Sequence, residues 1–383
     1  MRITEFRICM AAAGVVILAL SGCGEGEPPV SMPDDNAVTV AIPQDVRDEL
    51  ARLGAIADDA GGPVAWYTAD LDAGIVELPA GSVNGLAGAL AQAGNNGVVI
   101  VRAGMHTESG TVVVSQRGVK ILGEPGAVLR VNTVPFPVGP TLNPALHIRN
   151  ASNVTVWGLD IQPTAAEGGV GVLVEASTGA LIAANTFEGE DIGIMLQNGN
   201  RTTVWRNAIT IPRNDQDLYY GIVVINGDNV LVAQNTVRSG IFGIWACDRN
   251  GVLIDNDIQL SFVGVVLCKV PMELPMPDGT IVGSDESGNH WLTTGNNSSH
   301  NAWGYLVIDG ANNNTIINNA ASENSVYDVE LTADTFRFGF LTPAAFDNRF
   351  VAGRFRSIQV KNCGNNNTIV GGVLVNTTED PCF

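Results

Sequence analysis

The chain is predicted to be an all-β solenoid by three features of its sequence. A short β-type run closing on Asn and an apolar residue recurs in Ala180–Phe187, Thr202–Ile209, Asn229–Val237, Gly251–Ile258 and Asn314–Ala321. A second run, Gly-apolar-x-apolar, alternates with it at Gly171–Glu175, Gly193–Gln197, Gly221–Ile225, Gly243–Cys247, Gly264–Cys268 and Gly304–Ile308. The Asn positions Asn185, Asn207, Asn235, Asn256, Asn296 and Asn319 lie 22, 28, 21, 40 and 23 residues apart, most intervals near one length and two carrying insertions. Periods of roughly 20–50 residues mark stacked repeats; a propeller blade needs about 40–45 residues, and the leucine spacing and helical segment of leucine-rich repeats are missing here. In a solenoid, coils hydrogen-bond at about 4.7–4.9 Å, so like residues form columns and a buried Asn bridges to its copies above and below. The Asn column is therefore expected to be structural.

Along the chain, residues 1–22 read as an export signal: Arg2 and Arg7, then the apolar run Ala11–Leu20. That run is shorter than the roughly 20 residues a membrane span needs. Leu20-Ser21-Gly22-Cys23 resembles the bacterial lipobox, which implies a diacylated Cys23 as the mature N-terminus and a membrane partner through that lipid. Gly24 after it implies the outer membrane or cell surface. Residues 23–37, rich in Gly, Pro and acidic side chains, read as a flexible tether. Residues 38–82 form an extension, with an amphipathic helix expected at Gln44–Ala57 from Val46, Leu50, Leu53 and Ile56.

The first coil of a solenoid would expose a sheet edge and an open core, so a plug is needed. Ser82–Ala93 is expected to supply it as a helix: Val83, Leu86, Leu90 and Ala93 share one side, Ser82 or Asn84 caps it and Gly94 ends it. Val98–Val101 and Thr111–Leu129 then begin the stack. The solenoid domain is taken as 83–383, with an insertion at about 271–290. One domain suffices for 383 residues, because solenoids lengthen by adding coils.

The formal charge is −19 and becomes −20 when residues 1–22, with two Arg and one Glu, are removed. Such a balance argues against nucleic acid as a partner. It is compatible with Ca²⁺, although no cofactor is required, and it equally serves solubility.

The repeats, with Leu86–Ala93, Val98–Val101 and Gly104–Leu129, resemble the right-handed parallel β-helix proteins of the pectin-lyase-like superfamily over about three quarters of the chain. The resemblance implies a right-handed parallel β-helix with an N-terminal helical cap. It also implies that an active site, where there is one, lies along the outward parallel-strand face, with clustered carboxylates, sometimes Ca²⁺, and an Arg or Lys base.

Alternate strand residues face opposite sides, so the Gly-apolar-x-apolar runs predict that face. Val172, Val174, Ile194, Leu196, Ile222, Val224, Ile244, Ala246, Val265 and Leu267 point inward. One outward column is then His147, Leu173, Met195, Val223, Trp245, Val266, Leu306, Glu330 and Gln359. Beside it run Arg149, Glu175, Gln197, Ile225, Cys247, Cys268, Ile308, Thr332 and Lys361. Cys247 and Cys268 share a register on adjacent coils, at a spacing a disulfide accepts, and export makes oxidation available. Cys363 and Cys382 pair by elimination. His106, His147, His290 and His300 show no ligand spacing with the cysteines, so no metal site is expected.

The middle of the face is apolar, unlike a family active site. An exposed strip of this kind is expected to be covered or to be a contact surface, and Pro271–His290 is long enough to cover it. The best polar patch is His147, Arg149 and Glu175, which a uronate lyase could use as base and charge stabiliser; the competing reading is a surface ion pair. Hydrolysis needs two carboxylates at roughly 5–9.5 Å. Glu188, Glu190 and Asp191, or Asp215 and Asp217, could sit at the groove rim, though acidic loop residues are usually solvated. A paired-Asp and Gly-His-Gly set like that of polygalacturonases is absent, and Asp255 and Asp257 read as turn residues. Trp245, Tyr219 and Tyr220 could stack on sugar rings while Asp215 and Asp217 accept hydroxyls, or the rings pack under the insertion. The reading that results is a cell-envelope lipoprotein whose β-helix binds polysaccharide or another envelope component without turnover. The alternatives are a carbohydrate-active enzyme, either a uronate lyase or a glycoside hydrolase, and a protein-docking scaffold or adhesin.

Overall fold

The computed structural model describes residues 74–135, 141–166, 168–211, 219–238, 240–268, 289–337 and 340–375, with Leu274–Pro275, Pro277, Ile281–Val282 and Cys382. Three parallel sheets form its body. Most coils contribute a strand to sheet 1 (12 strands, Ile75–Leu78 to Thr368–Val370), then sheet 2 (9 strands, Gly104–Glu108 to Ala320–Ser322), then sheet 3 (11 strands, Val112–Val114 to Val373–Leu374). Sequential coils neighbour each other throughout, which is the pairing of a parallel β-helix. The ladder already includes Ile75–Leu78, inside the segment 38–82 set apart above. The signal, the tether, Cys23 and the expected helix at Gln44–Ala57 lie outside the described residues.

The core is one apolar column system running the length of the stack. It holds the inward residues Val172, Val174, Ile194, Leu196, Ile222, Val224, Ile244, Ala246, Val265 and Leu267. Sheet 1 adds Ile121, Val156, Ile182, Val204 and Val232, and sheet 2 adds Leu129, Ile161, Phe187, Ile209 and Val237.

The Asn positions form a buried ladder at the turn from sheet 1 to sheet 2. The Oδ1 of Asn207, Asn235, Asn256, Asn296 and Asn319 accepts from both the backbone N–H and the Nδ2 of the Asn one coil earlier, at 2.8–3.1 Å. Each interior Nδ2 also donates to a backbone carbonyl of the preceding coil, as Asn235 does to Val204. The turn itself needs a left-handed residue just before the Asn: Ala184, Arg206, Gln234, Asp255 and Asn318 have φ of 52–54°.

The glycines opening the second run meet a different demand. A Cβ on Gly171, Gly193, Gly221 or Gly243 would lie 2.2–2.6 Å from Phe187, Ile209, Val237 or Ile258, and 2.5–2.8 Å from the next glycine's carbonyl oxygen. The chain enters sheet 3 through a corner where only hydrogen fits. This corner also interrupts the alternation, so the residue before each glycine faces outward although the second residue after it faces inward.

The plug is the helix Leu86–Ala93, with Leu86, Ala89, Leu90 and Ala93 buried. It is shorter than expected: Gly85 is the N-cap and makes no side-chain cap, and Val83 is exposed. The capping comes from across the coil, where buried Glu108 Oε1 accepts the Leu86 N–H at 2.9 Å. Gly94 ends the helix, donating its N–H to Leu90.

One register differs from expectation. Glu330 pairs with Lys361, so Gln359 lies one step outside that column and Thr332 is not opposite Lys361. A slip of two residues keeps every side chain on its face, so alternation cannot detect it.

Gly221→Ala should lower stability by about 1–3 kcal/mol through overpacking. Gly88→Ala, on the helix with open space around it, should raise stability by about 1 kcal/mol. Urea unfolding of both variants checks the pair; equal shifts would remove the corner explanation. Asn235→Ala leaves the Asn207 N–H and Val204 carbonyl without their ladder partner. At about 1–3 kcal/mol for each stranded group, its denaturation midpoint should fall furthest.

Candidate functional site

The outward face of sheet 3 carries three columns. Two were read from the sequence; the third is the residue before each corner glycine: Val170, Ile192, Tyr220, Phe242, Val263 and Trp303. Signal for it existed in the sequence, since an apolar residue precedes every one of these glycines. Together with Leu173, Met195, Val223, Ile225, Trp245, Val266, Leu306 and Ile308 they make a second apolar cluster, separate from the core and buried except for Phe242 and Trp303, which are partly buried against it. Cys247 and Cys268 close its far column as a disulfide with Cα atoms 4.7 Å apart, and Cys363 and Cys382 are bonded near the C-terminus.

The expected sugar-stacking rings do not form an open platform. Tyr219 belongs to the core and is turned away from the face. Tyr220 and Trp245 lie on the face at 1% and 3% exposure, with Tyr220 and Phe242 stacked and Trp245 edge-on to both. Rings buried to this degree bury area against each other and offer none to a ligand. Asp215, Asp217 and most of 271–290 lie outside the described residues; within that insertion Leu274–Pro275 pairs antiparallel with Ile281–Val282.

His147, Arg149 and Glu175 are brought together at the N-terminal end of the face. Arg149 and Glu175 pair across adjacent coils, and Glu175 Oε2 receives His147 Nε2 at 2.6 Å and Arg149 Nε at 3.3 Å. His147 is buried, Glu175 nearly so and Arg149 half-exposed. One carboxylate oxygen shared by an imidazole and a guanidinium is a closed polar set, and it is also a composition a lyase could use.

The hydrolase candidates separate. Glu188 is exposed, whereas Glu190 and Asp191 are 0% and 1% exposed and so do not reach a rim. Thr133 Oγ1 donates to Glu190 Oε2 at 3.5 Å, and Glu190 Oε1 has no hydrogen-bond partner. Burial, with the charge of Asp191 added and the Thr133 bond opposing, pushes the Glu190 carboxyl up to about 8.

Sheet 2 presents the contrasting surface. Its outward columns include Asp160, Thr186, Ala208, Thr236, Asp257 and Asn297 in one line, and Glu188, Thr210, Arg238, Gln259, Ser299 and Ser322 in the next. Most of these side chains are half-buried or exposed. Asp257 is its hub, a strand residue and not the turn residue read from sequence. Its carboxylate accepts from Arg238 Nη2 at 2.7 Å, Gln259 Nε2 at 3.0 Å and Asn297 Nδ2 at 2.9 Å. Partial burial opposes its ionisation, but the Arg238 bond and charge and the Asn297 and Gln259 bonds outweigh it and hold Asp257 below the usual carboxylate range.

Residues 96–270 match the model of a family described as periplasmic copper-binding protein (NosD). No curated protein sequence matches the chain. Among solved structures, ORF18 of Geobacillus virus E2 superposes with a TM-score of 0.50 at 12% identity, covering 85% of this chain and 61% of that one. Endo-xylogalacturonan hydrolase from Aspergillus tubingensis also gives 0.50 at 12% identity, covering 81% of this chain and 98% of that one. This chain thus spans 61% of the viral protein's length. These likenesses establish the right-handed parallel β-helix fold. Copper takes Cys, Met and His donors. Among the described residues no three His, Cys, Asp or Glu side chains gather as a metal site. The four described cysteines are in disulfides, His106 bonds the Arg102 carbonyl, and His147 and His300 pair with Glu175 and Glu323 on distant coils. Among the described residues these donors do not come together as a copper site.

Glu190 binds its proton more tightly folded than unfolded. It therefore costs no stability below about pH 4.5, and stability is lost as pH rises from there to about 8, by at most about 5 kcal/mol. Urea midpoints of Glu190→Gln against the parent across pH 5–9 should show a flatter profile for the variant; parallel profiles would mean that Glu190 ionises freely.

Proposed function

We propose that this right-handed parallel β-helix of pectin-lyase-like architecture is an exported envelope protein, tethered through a lipid on Cys23. In this reading it binds polysaccharide along the outer face of sheet 2 without turning it over. The observation that carries the reading is the contrast between faces. The middle of the sheet 3 face is apolar and largely buried, so there it offers a sugar neither hydroxyl partners nor access. The sheet 2 face is open and lined by amides, hydroxyls and a bridged Arg–Asp pair, groups suited to saccharide hydroxyls. Its seven consecutive coils from Asp160–Pro163 to Ala320–Ser322 suit a long ligand better than a small one. Export is supported by the leader at 1–22 and by the match to a family described as periplasmic. No helix among the described residues is long and apolar enough to cross a membrane.

A second reading, a uronate lyase, is favoured by the His147–Glu175–Arg149 contact. It would use His147 or Arg149 as base at the N-terminal end of the sheet 3 face.

The soluble chain lacking residues 1–23, incubated with uronate and neutral polysaccharides with and without Ca²⁺, should be retained on at least one polymer. It should release neither unsaturated products nor reducing ends. Asp257→Ala with Gln259→Ala should weaken retention about tenfold, the effect of losing roughly 1.4 kcal/mol of binding, and Glu175→Gln should leave it unchanged. Product release abolished by Glu175→Gln or Arg149→Ala would replace binding with lyase chemistry.

A further inference from the structure

Two places on the outer face of sheet 2 carry the same three side chains in the same register. Asp160-Ile161-Gln162 and Asp257-Ile258-Gln259 repeat one sequence, and on the preceding coil Arg130 lies opposite Gln162 as Arg238 lies opposite Gln259. In both, the Gln side chain donates to its own Asp, at 2.9 Å in the first set and 3.0 Å in the second. The second set is closed, because Arg238 Nη2 meets Asp257 Oδ2 at 2.7 Å and Asn297 adds a further donor to Oδ1. The first set is open. Arg130 is half-buried and its Nε, out of contact with solvent, has no hydrogen-bond partner; Asp160 Oδ1 is likewise buried and unpartnered. Among the described residues no carboxylate comes within ion-pair distance of Arg130, and the position that Asn297 fills in the second set is held by Thr186.

We propose that Arg130 is an anion-binding subsite at the N-terminal end of the sheet 2 face, taking one carboxylate or phosphate group of a bound glycan. A donor taken from water without an acceptor costs free energy that an incoming acceptor restores. A guanidinium presents its donors in a fork that matches the paired oxygens of a carboxylate or phosphate. Thr107 precedes Arg130 in its column, and Asn132 and Thr164 stand exposed two residues further along their strands, so hydroxyl and amide partners flank the guanidinium. The acid group is an isolated one. Glu188 is exposed two coils beyond Arg130 in the same column, and the chain carries a net charge of −19, so a polymer with an acid on every sugar meets like charge. That the anion belongs to a glycan rests on the function proposed for sheet 2; the open Arg130 does not.

The test reads the Arg130 side chain directly. In the ¹⁵N-labelled full chain, the Nε–H resonance that Arg130→Lys removes should shift saturably with glucuronate or with inorganic phosphate at constant ionic strength. Half-saturation should come at least about tenfold lower than with glucose. A response to glucuronate alone assigns a carboxylate, and a response to phosphate alone assigns a phosphate ester. Arg201→Gln, which removes an equal charge from the exposed turn before sheet 1, should leave the response unchanged. No saturable shift with either anion, or the same shift with glucose, would overturn the subsite whether or not the chain is retained on polysaccharide. A responding Arg130 in a chain retained on no polymer would keep the anion site and overturn its assignment to a glycan.

Discussion

Every coil of this molecule rests on another coil in register, about 4.8 Å away, and that repetition is the constraint to which the rest of the structure answers. A buried polar group at such a position meets a copy of itself, so it must be its own complement. The Asn side chain meets that condition because one amide carries a donor and an acceptor. The Oδ1 of one coil receives both the N–H and the Nδ2 of the coil before, so a turn that would strand backbone groups in the core satisfies them with a single side chain. Carboxylates or ammonium groups stacked in that column would face like charge at the same spacing, and neither carries both a donor and an acceptor.

The same rule disperses charge over the outer faces. Asp257 is flanked along its column by Thr236 and Asn297, and Arg238 by Thr210 and Gln259. Where charges do meet across coils they are opposite, as Arg149 with Glu175 and Glu330 with Lys361. Polar recognition on such a surface is assembled from many neutral hydrogen-bonding groups and isolated bridged charges. Glu190 shows the cost of breaking the pattern: set beside Asp191 and out of water, it is held in its neutral form.

Much of the fold was legible because it follows from repetition. The Asn column, the two outward columns of sheet 3, the Cys247–Cys268 register and the plugging helix all follow from spacing and alternation. What could not be read obeys a different physics. The corner at Gly171 and its equivalents interrupts alternation, which hid the column holding Tyr220, Phe242 and Trp303 and made Tyr219 look like a face residue. The slip that sets Glu330 against Lys361 preserves alternation and so leaves no trace in it. Glu108 as the helix cap is a contact across 22 residues that no local motif announces. Asp257 looked like a turn residue because it follows the ladder Asn, yet the strand begins at once after that Asn.

The site was less legible than the fold for a reason built into the repeat. The match to the NosD family over 96–270 and the likeness to two β-helix structures at 12% identity bear on a region dominated by Asn, Gly and apolar positions. Those are the residues that satisfy stacking, and any chain that stacks in this way must have them whatever it binds. Copper donors, paired carboxylates or a sugar platform would have to be added at outward positions that stacking leaves free. In this chain the outward positions of sheets 1 and 3 are largely given to apolar columns, and those of sheet 2 to amides, hydroxyls and one bridged ion pair. The chemistry available to a partner is therefore decided by the columns in which the coils are permitted to differ, and among the described residues sheet 2 is where those columns are polar and open.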